Sequence, residues 1–78
     1  MKHYKTDTVA LRKLMIDRGF KTNSALAEAA GADRNTVGKV LNGDAQPSAD
    51  LMDKLAMALQ MDSATAGAVF FAPDLRGA

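Results

Sequence analysis

Apolar residues recur along this chain at the three-four spacing of amphipathic helices. Nowhere do they alternate with polar ones over more than a few positions, as a strand would require. Leu11, Leu14 and Met15 define a first helix from about Asp7 to Gly19. Thr22 is a good N-cap for a second, which runs through Leu26 to Ala30 and stops at Gly31. Asp33 caps a third, Arg34 to Leu41, ended by Asn42-Gly43, and Asp44-Ala45-Gln46-Pro47 reads as loop. Ser48 caps a fourth, whose core stripe is Met52, Leu55, Ala56 and Leu59; Asp50 lies in its first turn, where the helix dipole favours an anion. Asp62 or Ser63 caps a fifth, Ala64 to about Ala72, which Pro73 stops.

The pattern predicts an all-α fold, a compact bundle of five short helices. Residues 1–78 form one domain with its core at about 7–72. Residues 1–6, with His3 and Tyr4 in a mobile arm, and residues 73–78 are the expected flexible ends. No internal repeat, low-complexity tract or sensor domain after residue 72 is visible. With 78 residues the core is thin, and a contact between copies would help it. Phe70 and Phe71 are adjacent, so they cannot both face one core stripe; the exposed one, with Val69 and Ala66, is a candidate dimer patch. Met15, Met52, Met57 and Met61 are expected as core filler.

Composition narrows the function. Hydrophobic residues make up 47% of the chain, too many for a disordered one. There is no cysteine, hence no disulfide and no thiolate site. The apolar runs are too short to span a membrane, and the polar start has no signal core behind it, so a cytoplasmic location is expected. One histidine, scattered carboxylates and no glycine-rich phosphate loop leave no enzyme signal, no metal site, no cofactor and no evident small-molecule ligand. The net charge of +1 hides an asymmetry. Residues 1–43 hold eight basic side chains against four acidic, and residues 44–78 two against five. A cationic half beside an anionic half suggests that one face meets a polyanion.

The stretch from Thr22 to Gly43 carries the chemistry. Gly31 lets two short helices join within a few residues, and Leu26, Ala27 and Ala30 give the first a small-residue face on which the second can lie closely. Val37, Val40 and Leu41 anchor the second helix. Arg34, Asn35, Gly38 and Lys39 are left on its outward side. Arg can grip guanine with two hydrogen bonds and Asn can do the same to adenine; both stand in the first turn, the part of a reading helix that reaches base edges. Gly38, without a side chain, allows close approach. The start of the preceding helix, Thr22, Asn23 and Ser24, presents free N–H groups suited to a phosphate, and Asn42 can donate to another.

These residues resemble the phage repressor/Cro-type helix-turn-helix family, the group that includes the lambda repressor and Cro. The likeness lies in Thr22-Asn23-Ser24-Ala25-Leu26-Ala27, Gly31-Ala32-Asp33, Arg34-Asn35-Thr36-Val37-Gly38, Gly43, Pro47-Ser48 and the helix from Met52 to Leu59. It covers about residues 9 to 62. Three departures stand out: Asn23 replaces a Gln that braces the reading helix, the loop before Thr22 is one residue longer than common, and Asp33 places an anion near DNA while it caps that helix. The resemblance implies a lambda repressor-like bundle with the helix-turn-helix in helices 2 and 3. It also implies a homodimer on a two-fold operator in double-stranded DNA, and a Cro-like transcriptional repressor of phage or mobile-element type. The expected base contacts are Arg34, Asn35, Thr36, Gly38 and Lys39, and the expected phosphate contacts are Thr22, Asn23, Ser24, Asn42, Lys21 and Lys13. A small antitoxin- or anti-repressor-like module, whose main ligand is another protein, is the alternative on the same fold.

Overall fold

Each helix starts where a short polar side chain can satisfy an otherwise orphaned backbone N–H. The structure, a computed structural model, describes residues 4–73. Among them the order is β1 (Tyr4–Lys5), α1 (Thr8–Asp17), α2 (Asn23–Ala30), α3 (Arg34–Asn42), α4 (Ala49–Ala58), α5 (Ser63–Phe70) and β2 (Ala72–Pro73). Four caps are ones that the sequence nominates, Asp62 rather than Ser63 serving the fifth helix, and Asp7, expected only as the approximate start of the first, is the cap there. Asp7 accepts from the Ala10 N–H (3.1 Å), Thr22 from Ala25 (3.0 Å), Asp33 from Thr36 (3.0 Å), Ser48 from Leu51 (3.2 Å) and Asp62 from Thr65 (2.7 Å).

The ends of α2 and α3 need a left-handed residue, and Gly31 (φ 67°) and Gly43 (φ 80°) supply it without a Cβ penalty. After α4 the same conformation falls on Gln60 (φ 56°), a position with no glycine to announce it. There the Arg18 Nε–H donates to the Leu59 carbonyl (2.8 Å) and places a cation at the negative end of α4.

The core draws on all five helices: Leu11 and Met15, Leu26 and Ala27, Val37, Val40 and Leu41, Leu51, Leu55 and Leu59, Val69 and Phe70. Phe20, Met52 and Met61 close its edges. Full burial of one such side chain contributes roughly 1.5–3 kcal/mol. The helix α2 lies against α3 and α4, while α1 lies between α3 and α5.

The structure corrects several expectations. The chain is not purely helical, because Tyr4 and Lys5 pair antiparallel with Pro73 and Ala72. Tyr4 therefore belongs to a ribbon rather than a mobile arm, and α5 ends at Phe70 so that Pro73 can join it. Beside the ribbon the buried Thr6 hydroxyl donates to Gln46 Oε1 (3.0 Å), Gln46 Nε2 donates to the Phe70 carbonyl (2.6 Å), and the Asp7 N–H donates to the Val69 carbonyl (2.7 Å). The α4 stripe runs through Leu51, Leu55 and Leu59, with Met52 and Ala56 half-buried. Met57 is 81% exposed and is not core filler. Val69 and Phe70 are buried within the single chain, which leaves Phe71 as the exposed member of the aromatic pair. His3 and the expected tail from Asp74 lie outside the described residues.

Candidate nucleic-acid interface

The helix α3 is amphipathic in a way that fixes its orientation. Val37, Val40 and Leu41 are essentially without solvent exposure, so the helix cannot roll without unburying them. The opposite stripe is Asn35, Lys39 and Asn42, all exposed, with Arg34 exposed at the first turn. This is a rod held along one side and free along the other, with cationic and amide donors on the free side.

The remaining candidates fall into two groups. Thr36 is exposed, but its N–H and its hydroxyl (3.1 Å) both donate to Asp33 Oδ2, so it serves the cap as well as the surface. Gly38 is half-buried rather than open. A Cβ on it would lie 3.7 Å from Asn23 Nδ2. The first residue of α2 thus lies beside α3 at the one position where α3 has no side chain, at a distance that would still admit a methyl group. Thr22 spends its hydroxyl oxygen on the Ala25 N–H. The N–H groups of Asn23 and Ser24, one turn ahead of the first intrahelical donor, point out of the start of α2. Lys21 is exposed immediately before this cap.

Two basic residues of α1 separate. Lys13 lines a shallow apolar groove between α1 and α5, with Ala10, Leu14, Asp17, Ala64, Thr65, Ala68 and Val69. Arg12 turns the other way: its Nη2 donates to Asn42 Oδ1 at 2.9 Å and joins α1 to the end of α3. Arg12 was not among the expected contacts. Its partner is thirty residues away in sequence, and nothing local marks the pair. Among the described residues no group of three or more His, Cys, Asp or Glu could hold a metal ion, and no helix is long and apolar enough to cross a membrane.

A short helix, a left-handed glycine turn and a second helix with one side buried and the other cationic together make a helix-turn-helix DNA-binding domain. The chain belongs to the Cro/C1-type HTH DNA-binding domain family, whose model matches residues 10–65. It is similar to a solved structure, the restriction-modification controller protein C.AhdI from Aeromonas hydrophila. That similarity is 32% identity over 76% of this chain and 88% of that one, with a TM-score of 0.68. No curated protein matches the chain. The protein is a DNA-binding transcription regulator, and its family is not one of enzymes.

Proposed function

We propose that the chain acts as a homodimeric, sequence-specific repressor of the Cro-like kind, working in a phage or mobile element. In this reading α3 enters the major groove, and two copies read half-sites about one helical turn apart. Arg34, Asn35 and Lys39 read base edges, Thr36 and Gly38 lie close to them, and the start of α2 with Lys21 holds the phosphate backbone. Repression follows if the bound dimer occupies DNA that the transcription machinery needs. The observation that carries the reading is the division of α3 into a buried stripe and an exposed donor stripe. The similarity to a restriction-modification controller protein, over 88% of that chain, supports a regulatory role for this domain.

We infer that the second copy binds across α1 and α5. With Val69 and Phe70 buried, the open apolar surface of α5 is the groove around Ala64, Ala68 and Leu14. Lys13 and Asp17 rim it one turn apart on α1. Under a two-fold axis, Lys13 of each copy meets Asp17 of the other, which is the reciprocity that an isologous contact demands.

The test selects bound sequences from a random duplex pool and then compares the selected site with random DNA. Arg34→Ala should cost about 1–3 kcal/mol on the selected site and relax the preference at one base pair. Equal losses on selected and random DNA would show that α3 does not read sequence.

A further inference from the structure

We propose that Arg12 and Asn42 form a composite phosphate clamp, in which α1 and the end of α3 together grip one backbone phosphate beside the major groove. The proposal rests on the DNA-binding reading and adds to it a residue on a helix outside the helix-turn-helix.

The geometry comes from the bond between the two side chains. Asn42 accepts from Arg12 Nη2 through Oδ1 (2.9 Å), which settles the orientation of its amide. The amide NH2 is then turned away from the guanidinium as a pair of donors. Arg12 spends one of its five N–H groups on this bond, and the others have no partner among the described residues. Both side chains are exposed. A cation and an amide with outward donors therefore stand side by side, ordered by each other before any ligand arrives. Anionic oxygens are the acceptors such a fork suits, because planar guanidinium donors match them two at a time and charge assistance strengthens each bond.

The position selects DNA as the source of that oxygen. Asn42 continues the outward stripe of Asn35 and Lys39, so the clamp lies at the C-terminal end of the helix that faces the groove. That end of a helix carries a partial negative charge, and Asp44 follows two residues later. A phosphate would be repelled there without a cation, and the charge of Arg12 answers that need from a neighbouring helix. Clamping costs little ordering entropy because the hydrogen bond already holds both side chains.

Duplex binding by the full chain, followed by fluorescence anisotropy across a salt series, tests the clamp. Arg12→Ala should weaken binding about tenfold, equally on selected and random duplexes, and lower the salt slope by about one phosphate's worth. Lys54→Ala removes the same charge from α4 and should leave the slope unchanged. Asn42→Asp separates a clamp from a structural tie. The carboxylate keeps the bond to Arg12, so a tie between α1 and α3 survives, but it presents no donors and repels phosphate, so binding falls. Arg12→Ala with an unaltered slope, or Asn42→Asp that binds as the parent does, would overturn the clamp while leaving the domain a DNA binder. A parent chain that binds no duplex at any salt would overturn the underlying reading as well.

Discussion

Gly38→Ala should make this domain more stable and a worse DNA binder. Gly38 lies inside α3 with ordinary helical backbone, since the left-handed glycines are Gly19, Gly31 and Gly43. In that setting glycine loses about 0.8–1.0 kcal/mol to alanine through backbone entropy alone. The added methyl would meet Asn23 Nδ2 at 3.7 Å, an ordinary van der Waals contact, so nothing in the free protein opposes it. A gain of about 1 kcal/mol raises Tm by about 4–8 °C in a domain of this size. Toward DNA the sign reverses. The methyl thickens the helix between the start of α2 and the donor stripe, where the proposed contact is closest, and overfilling a close-fitted contact costs roughly 1–3 kcal/mol. That is a loss in affinity of about tenfold or more. Thermal melting and anisotropy on one preparation measure both. A lower Tm would refute the room for a methyl beside Asn23, and unchanged affinity would refute close approach at this position.

Two further outcomes follow from the fold. Gln46→Ala strands the buried Thr6 hydroxyl and the Phe70 carbonyl, and should cost about 1–3 kcal/mol in urea unfolding, with faster hydrogen exchange at the Asp7 N–H; a loss under about 0.5 kcal/mol would mean that the tie does not hold the ends together. The Asp62 carboxyl is held below its ordinary value, first by the Thr65 N–H and then by the Thr65 side chain, with slight burial opposing. Its folded value is therefore the lower one, so its contribution is present above the usual aspartate range and fades as pH falls through the folded value. Tm measured from neutral into acid should fall less steeply for Asp62→Asn, which keeps a cap without a titrating group; parallel curves would refute the assignment.

Local signals account for what could be read in advance at the interface. Arg34, Asn35 and Lys39 were legible because Val37, Val40 and Leu41 mark the buried side by spacing alone, and whatever is left must face out. The state of Gly38 was not legible. Whether it faces solvent or Asn23 depends on how α2 meets α3, and spacing within α3 carries no information about that. The same limit applied to the two α1 cations, which differ by one position in sequence yet reach α3 in one case and the α5 groove in the other.

The five caps, the turn glycines after α2 and α3 and the helix-turn-helix segment were already present in the order of residues. Each of these acts over three or four positions, and its energetics close within one turn of backbone. Four features depended on the assembled chain: the pairing of Tyr4 with Pro73, the Gln46 tie, the burial of Phe70 rather than Phe71, and the bond from Arg12 to Asn42. Each joins residues distant in sequence or chooses between neighbours. Such contacts form only once the core has set the distances and sides of the helices, and the pattern of apolar and polar positions leaves no trace of them.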